Sequence, residues 1–329
     1  MANLVAAFGS SHSTMLFSAA ENWQKLFDHI DRKAPIHDFD GIERPFDEHL
    51  ANTPPEAAAN IAPDLIAERH RRTMAALDRL EADIAAAELD ALIIVGDDQR
   101  EIFKDDCRPA IAVYCGETIR NAAAPSEPSD DWYVTDQRSR LEDGADRFYP
   151  CDAALGLHLA AGLTARGFDI TAVNALPVDR FEGHAYSFVH RRLMDRADPV
   201  PIVPIFLNTY YPPNQPTPER CHELGRALRD LIAGFGGDAR IGLFASGGLS
   251  HFLVNEPLDE QIVAALKAGD LETLSSLPLP LLEGGASEIR NWIAVAAAST
   301  DLSLDWIEYV PAYRSKAMTG VGLGFAGWK

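Results

Sequence analysis

Short runs of β-forming residues alternate with helix-length segments along most of this sequence, and this alternation constrains the fold more than any other feature. The runs that predict strands are Asn3–Phe8, Ala91–Val95, Ala110–Tyr114, Asp169–Ala175, Val203–Leu207 and Ile241–Ala245. The segments with apolar residues at helical spacing are Ala62–Ala87, Cys151–Ala165, Pro218–Phe235 and Ser287–Ser299. Strands joined by helical crossovers lie parallel in one sheet. The sequence therefore predicts an α/β fold with a mostly parallel central sheet and helices on both of its faces.

The length of the chain allows one large domain or two modest ones. Its 329 residues are 47% hydrophobic, which is ample for a buried core, and no repeat or domain boundary is visible. We therefore expect residues 1–329 to form a single domain. The segment Gly116–Pro150 is rich in Asp, Ser, Pro and Arg and has little periodicity. We expect this segment to be a long surface excursion, or a lid over a site.

Charge and composition restrict the partners and the location of the protein. The formal net charge of −20, from 29 basic and 49 acidic residues, repels phosphate backbones and argues against nucleic acid as a partner. No run of roughly 18 apolar residues predicts a membrane span, and no basic stretch precedes the first apolar run. The four cysteines show no CxxC spacing, so neither a zinc site nor a disulfide framework is predicted. Together these features predict a cytoplasmic protein.

Polar side chains suited to metal or proton chemistry follow four of the predicted strands. In chain order they are His12, then Asp97, Asp98 and Gln99, then His184, and finally His251 and Glu256. In an open parallel sheet, ligands bind beyond the carboxyl ends of the strands, where the loops converge. The sequence therefore predicts one convergent site at that edge of the sheet.

Each of these residues also has an ordinary structural interpretation. A single histidine after a strand is more often a loop or capping residue than a ligand. Asp97 and Asp98 could cap the next helix, and the Gly247–Gly248 pair permits a tight turn with or without a ligand. The shared position of the residues at strand ends is what favours a common site.

Imidazole and carboxylate groups without a thiolate suit a divalent ion such as Fe(II), Mn(II) or Zn(II). His12 and Glu256 are the ligands that the sequence predicts, and His184, which follows a glycine on a separate loop, is then free to move protons. No GxGxxG motif follows a strand, no GxxxxGK[ST] motif is present, and Gly247–His251 is not a GxSxG elbow. Nucleotide binding and serine hydrolase chemistry are therefore not predicted.

Several segments, taken together, resemble the class III extradiol ring-cleavage dioxygenases, whose type member is the catalytic β subunit of protocatechuate 4,5-dioxygenase. The segments that carry the resemblance are Ser11–Ser13, Gly96–Gln99, Pro109–Val113, Gly183–Ala185, Val203–Pro212, Ala245–Phe252 and Tyr309–Arg314. The Ser-Gly-Gly-Leu-Ser-His run in register with the others is the most specific of them. The resemblance implies a single catalytic domain that opens the ring of a small catechol-type aromatic substrate with O₂.

In this family, two histidines and one glutamate hold a non-haem Fe(II). By resemblance His12 is the first histidine ligand, and the glutamate falls at Glu256 with an ambiguity of one residue. Gln99 stands where the second histidine is found in the β-subunit type, and a glutamine carbonyl is a weaker ligand for Fe(II) than imidazole. Three alternatives follow: Gln99 binds the metal loosely, Asp97 or Asp98 takes its place, or the metal is not held as in the family.

The resemblance also implies roles around the metal. His184 corresponds to the histidine that acts as base and acid, and His251 either assists proton transfer or packs in its turn. The residues expected to grip a substrate carboxylate are Tyr313, Arg314, Arg290 and Asn291, with a surface salt bridge as the alternative for Arg290. Relatives of this type form homodimers or pair with a small helical subunit.

Two other functions fit the same residues. A metal-dependent hydrolase or carbon–carbon bond-cleaving enzyme could use a water molecule activated near His12 and Glu256, and it would need no oxygen. A degenerate, non-catalytic binding subunit is the other alternative, since a metal ligand is lost at Gln99.

Overall fold

The computed structural model describes residues 2–33, 36–127, 129–194 and 197–329. The strands in these residues are β1 (Asn3–Ser10), β2 (Ile36–His37), β3 (Glu43–Arg44), β4 (Ala91–Asp97), β5 (Ile111–Tyr114), β6 (Thr118–Asn121), β7 (Arg147–Pro150), β8 (Ile170–Val173), β9 (Ile202–Leu207), β10 (Arg240–Ser246), β11 (His251–Leu253), β12 (Leu304–Tyr313) and β13 (Thr319–Trp328). The α-helices are α1 (Phe46–Asn52), α2 (Pro63–Ala86), α3 (Trp132–Arg138), α4 (Ala153–Ala165), α5 (His184–Phe188), α6 (Pro218–Gly234), α7 (Glu256–Ala268), α8 (Leu271–Ser275) and α9 (Ile289–Ala298). All six predicted strands and all four predicted helices are present.

A large mixed sheet forms the centre of the molecule, with strand order β11-β13-β1-β10-β4-β9-β5-β8 and β12 beside β13. Its four middle strands, β1, β10, β4 and β9, run parallel to one another. Their carboxyl ends therefore lie at the same edge of the sheet. This parallel centre confirms the α/β prediction and defines the edge at which a site is expected.

The two sides of the sheet depart from the parallel pattern. Strand β5 runs antiparallel to β9, and β8 is parallel to β5, so the carboxyl end of β8 lies at the opposite edge. On the other side, β13 pairs antiparallel with β1, β11 and β12. The β12–β13 hairpin was not predicted. The glycines of β13 weaken its strand signal, but they are needed, because a Cβ on Gly322 would lie 2.1 Å from the Asp259 carboxylate.

Alternate residues of β4 pack into two separate groups of buried side chains, as expected for a strand with period two. Ile93 and Val95 belong to a group that includes residues of α4, α6 and α9. Leu92 and Ile94 belong to a group that includes residues of α2 and α5. Among the described helices, none combines the length and the apolar character needed to cross a bilayer.

Helix α6 shows how local sequence signals and packing act together. Thr217 caps the helix by accepting a hydrogen bond from the Arg220 backbone N–H, and Pro218 follows as its first residue. The apolar face of α6 packs on α9, where Gly225 allows close approach to the Ala294 carbonyl. Each fully buried leucine on this face contributes about 1.5–3 kcal/mol.

The predicted excursion is an ordered part of the structure on both sides of residue 128, which lies outside the described residues. Strands β6 and β7 pair antiparallel, and α3 lies between them in the chain. Helix α3 contacts the turn that follows β1, because Ser18 donates a hydrogen bond to Asp136 (2.7 Å) and Gln137 donates one to Thr14 (2.9 Å). The excursion is therefore attached to the edge of the sheet where the polar residues cluster.

Candidate metal centre and active site

A cavity of about 310 Å³ opens at the carboxyl ends of the central strands. The side chains around it with groups suited to metal or proton chemistry include His12, Gln99, Glu101, His184, Tyr210, His251 and Glu288. They come from the turn after β1, the loop after β4, the start of α5, the segment after β9, the start of β11 and the residue before α9. The structure thus brings together most of the polar residues that the sequence placed at strand ends.

Four of the residues at this edge form a compact group of metal-binding atoms. One ligand atom from each of His12, Asp97, His184 and Glu288 lies within 4.8 Å of the others. His12 Nε2 is 3.1 Å from His184 Nε2, 3.3 Å from Glu288 Oε2 and 3.8 Å from Asp97 Oδ1. The Asp97 Oδ1 atom is buried without a hydrogen-bond partner. Two imidazoles, two carboxylates and an unpartnered carboxylate oxygen fit a divalent ion of the Fe(II), Mn(II) or Zn(II) type.

Hydrogen bonds at Nδ1, the ring nitrogen that does not face the other metal-binding atoms, orient the His12 ring for such an ion. Its Nδ1 lies 3.0 Å from Ser246 Oγ, and that hydroxyl donates to the Ala185 carbonyl at 2.7 Å. Since the single hydroxyl hydrogen points to Ala185, Ser246 Oγ accepts a hydrogen bond from Nδ1–H of His12. His12 Nε2 therefore carries the free lone pair, which is the tautomer of a metal-ligating histidine.

Glu288 supplies the carboxylate that the sequence analysis assigned to Glu256. Its Oε2 accepts from the Gly248 backbone N–H at 2.7 Å, and its Oε1 accepts from the Tyr210 hydroxyl at 2.9 Å. Burial raises the pKa of Glu288, but the charge of His251 and the electrostatic and hydrogen-bond contacts with His251 and His12 outweigh burial and hold the pKa well below its ordinary value. Glu288 is therefore a fixed, charged carboxylate. The sequence placed it at the start of a predicted helix, where it resembles a first-turn acidic residue.

Glu256 lies elsewhere, and the expectation that it joins His12 is corrected. It is the first residue of α7, which Asn255 caps, and its Oε1 accepts a hydrogen bond from Tyr313 at 2.5 Å. Helix α7 was not predicted. The chain enters this helix directly after β11. Glu256 is not one of the residues whose metal-binding atoms lie within 4.8 Å of one another.

The three residues after Gly96 have three different environments. Asp98 accepts hydrogen bonds from the backbone N–H groups of Ile102 and Phe103 (2.8 and 3.0 Å), so it closes a turn. Gln99 Nε2 donates to Asp97 Oδ2 and to Glu288 Oε1, both at 3.2 Å. Burial and the charge of Glu288 raise the pKa of Asp97 to about 6. Of the three, Asp97 is the one with a carboxylate oxygen that is buried without a hydrogen-bond partner.

His184 is the first residue of α5, and Glu101 holds it in place. The backbone N–H and Nδ1 of His184 lie 2.9 and 2.6 Å from Glu101 Oε2. Burial lowers the pKa of His184, but the charge and hydrogen bond of Glu101 raise it to about 9. Burial raises the pKa of Glu101, and the charge of His184 lowers it to about 2. Without a metal, His184 therefore carries a proton that faces His12.

His251 contacts the opposite side of Glu288. Its Nδ1 donates to the Leu249 carbonyl at 3.0 Å, and its Nε2 lies 3.2 Å from Glu288 Oε1 and 3.3 Å from the Tyr210 hydroxyl. Burial lowers the pKa of His251, but the charge of Glu288 raises it overall. His251 thus lines the cavity beside the cluster.

Comparison with known proteins identifies the family to which this chain belongs. The family model described as the catalytic LigB subunit of aromatic ring-opening dioxygenase matches residues 67–326. The chain belongs to this family. The resemblance to class III extradiol dioxygenases is thereby confirmed.

Individual relatives of this LigB-family chain are more distant. It is 35% identical to gallate dioxygenase of Pseudomonas putida over 181 residues, which cover 51% of each protein. It is 26% identical to 2,3-dihydroxyphenylpropionate/2,3-dihydroxicinnamic acid 1,2-dioxygenase of Cupriavidus necator over 258 residues, or 78% of this chain and 70% of the relative. The corresponding protein of Cupriavidus pinatubonensis is 26% identical over 204 residues, or 62% and 55%. The match thus spans about half the length of the gallate dioxygenase.

Four residues were expected to bind a substrate carboxylate, and one of them, Arg314, lines the cavity of this LigB-family chain. Arg314 forms an ion pair with Asp31 at 2.6 Å. Tyr313 donates its hydroxyl hydrogen to Glu256 instead. Arg290 is buried and donates to the carbonyls of Pro216 and Leu282, so neither substrate binding nor a surface salt bridge describes it. Asn291 donates to the Ser246 carbonyl at 2.8 Å and supports the strand end below His12.

Several cavity residues were missed by the sequence analysis. They are Thr14, Glu101, Tyr133, Gln137, Arg140, Tyr210 and Glu288. Tyr133, Gln137 and Arg140 belong to the excursion, and its description as a lid was the only signal that pointed to them. The others lie within one to six residues of predicted strand or helix ends, where sequence spacing alone does not show which side chain faces the site.

Proposed function

We propose that this protein is a non-haem Fe(II)-dependent extradiol dioxygenase that opens the ring of a catechol-type substrate with O₂. The observation that carries the proposal is the convergence of His12, Asp97 and Glu288 on one cavity in a chain of the aromatic ring-opening family. The relatives named above are dioxygenases of aromatic diols or triols, which supports this substrate class.

The proposed ligands of the iron are His12 Nε2, a carboxylate oxygen of Glu288 and Asp97 Oδ1. Bound iron would supply adjacent coordination sites for the two catechol oxygens and for O₂. Gln99, the ligand expected by resemblance, turns its amide nitrogen toward Asp97 and Glu288. In this orientation Gln99 holds the two carboxylates, and a flipped amide would present its oxygen to the same position.

His184 is the proposed base and acid. Its Nε2 faces the ligand cluster, while Glu101 fixes the ring through Nδ1. The charge of a bound cation opposes the protonated form of His184, so its ring would be ready to accept a proton from a catechol hydroxyl and to return it later. His251, beside the Tyr210 hydroxyl, is the second group in the cavity that we propose to move protons.

The remaining expectations form part of the same proposal. Residues 1–329 would act as a single catalytic domain with helices on both faces of the sheet, which the two groups of buried residues support. Residues 116–150 would act as a lid, since Tyr133 and Arg140 from this segment line the cavity. We also propose that the protein is cytoplasmic and that it assembles as a homodimer or with a small helical subunit.

An oxygen-electrode screen after anaerobic loading with Fe(II) tests the proposal. We expect O₂ uptake that matches the appearance of a yellow ring-opened product with one of gallate, protocatechuate, dihydroxyphenylpropionate or catechol. Turnover of the same compounds with O₂ excluded would instead identify a hydrolase or a carbon–carbon bond-cleaving enzyme. Failure to bind stoichiometric metal, together with no turnover, would identify a non-catalytic binding subunit.

A further inference from the structure

Arg140 is a cationic group in the cavity that forms no direct ion pair among the described residues, and the carboxylates of Glu101 and Glu288 act on its charge only from a greater distance. It follows helix α3 of the excursion, and its Nε atom is buried without a hydrogen-bond partner. Its one hydrogen bond to a side chain goes from Nη2 to the neutral hydroxyl of Thr14 at 2.9 Å. A half-buried guanidinium whose buried Nε has no hydrogen-bond partner and whose charge no ion pair compensates favours an anionic ligand.

Thr14 adds a second donor at the same place. Its Oγ1 accepts hydrogen bonds from both Arg140 and Gln137, each at 2.9 Å. With both acceptor positions occupied, the hydroxyl hydrogen of Thr14 is left to donate to another group. Thr14 lines the cavity, and it lies two residues after the proposed metal ligand His12.

The other arginine in the cavity is in a different electrostatic state. Arg314 donates to Asp31 at 2.6 Å, and both side chains are almost completely buried, so its charge is compensated within the protein. Asp31 also accepts a hydrogen bond from Thr319 at 2.7 Å, which fixes this pair in place. Of these two arginines, Arg140 is therefore the one whose charge is not compensated by a paired carboxylate.

We propose that Arg140 and Thr14 recognise a carboxylate substituent on the ring of the catechol substrate, an inference that rests on the proposed dioxygenase function. A guanidinium matches the two oxygens of a carboxylate, and the pair gains strength in a partly buried site. The overall charge of −20 would repel an anionic substrate, so a local cation is needed to hold one. The two hydroxyl groups of the substrate would then face the metal-binding atoms of His12, Asp97 and Glu288.

The test compares protocatechuate, which carries a carboxylate, with catechol, which does not. In Arg140→Gln we expect kcat/KM for protocatechuate to fall about 10- to 100-fold, the range for hydrogen bonds to charged groups, while kcat/KM for catechol changes little. Arg140→Lys should restore part of the loss. Arg138→Gln is the matched control, because Arg138 is the last residue of α3, two residues before Arg140, and donates to the Glu127 carbonyl outside the cavity.

Equal losses with the two substrates would show that Arg140 only attaches the excursion to Thr14. Unchanged kcat/KM for both substrates would show that Arg140 binds neither. Each result overturns the inference. Anaerobic calorimetry with protocatechuate and catechol gives a readout that does not depend on turnover. If the wild type binds protocatechuate more tightly and Arg140→Gln loses that difference, the inference stands even where ring opening is not observed. No difference between the ligands in the wild type overturns it.

Discussion

At the scale of single residues, the structure and the sequence interpretation differ in which glutamate lies beside His12: the structure places Glu288 there, and the sequence predicted Glu256. Both are acidic residues near the start of a helix, and both lie downstream of β10. Only Glu288 has its carboxylate fixed by Gly248 and Tyr210 next to His12. The path of the chain between them, and not the residue type, decides which one reaches the cavity.

Substitution of each glutamate by glutamine tests this assignment. In Glu288→Gln we expect the affinity for Fe(II) to fall at least about 10-fold, because a charged ligand is replaced by a neutral amide. Glu256→Gln is the matched control and should keep its affinity, since Glu256 contacts Tyr313. Anaerobic equilibrium dialysis measures both. A loss confined to Glu256→Gln would refute the assignment.

The Glu101–His184 pair makes a prediction about pH in the metal-free protein. The lowered pKa of Glu101, about 2 against an ordinary 4.5, contributes stability above pH 4.5 that is lost as pH falls. The raised pKa of His184, about 9 against 6.5, contributes stability below pH 6.5 that is lost as pH rises through 9. Glu101→Gln should therefore lower the free energy of unfolding most between pH 4.5 and 6.5, by roughly 1–3 kcal/mol.

Denaturant titrations across this pH range measure that difference, and an NMR titration of the His184 ring gives its pKa directly. We expect the pKa of His184 to fall in Glu101→Gln, because the charge that raises it is gone. A wild-type His184 that titrates at or below its ordinary value would contradict the account of the pair.

At the scale of elements, the contact between α6 and α9 depends on one glycine. A Cβ on Gly225 would lie 2.1 Å from the Ala294 carbonyl oxygen, which is backbone and cannot move aside easily. Gly225→Ala should therefore destabilise the protein by about 1–3 kcal/mol, although alanine favours helix. Gly234→Ala in the same helix meets no atom within 4 Å and should stabilise by about 0.4–1 kcal/mol. Thermal unfolding of both variants measures the two effects, and a stabilised Gly225→Ala would contradict the packing.

The elements also show what sequence can and cannot predict. The central strands and the helices α2, α4, α6 and α9 were predicted to within three residues at each end, because apolar periodicity and caps are local signals. The antiparallel direction of β5 and the β12–β13 hairpin were missed. Strand direction depends on how the chain crosses the sheet, and the glycines of β13 are required by close packing that only the folded structure shows.

The same limit applies to the candidate site. His12 follows β1, Asp97 ends β4 and His251 comes five residues after β10, so their convergence at one edge could be inferred from position. His184 also reaches that edge, but for a different reason: β8 ends at the opposite edge, and residues 174–183 bring the chain back. Its place at this edge is set by the return segment and not by the direction of β8.

At the scale of the whole molecule, the proposed metal ligands come from distant parts of the chain, so a bound ion would link those parts. His12 follows β1, Asp97 ends β4, and Glu288 precedes α9. Metal binding should therefore stabilise the entire fold, by about 2.7 kcal/mol when free Fe(II) is at 100 times its dissociation constant. Anaerobic thermal unfolding should show a higher Tm with Fe(II) in the wild type and no shift in His12→Ala. An equal shift in both proteins would place the metal elsewhere.

Isotope labelling tests the central claim, ring opening by dioxygen, most directly. The Fe(II)-loaded protein is mixed with its catechol substrate under dioxygen labelled with heavy oxygen, and the product is examined at once by mass spectrometry. We predict label from O₂ in the new carboxylate and, before exchange with water, in the new carbonyl group. A ring-opened product whose added oxygen comes only from water would contradict the account.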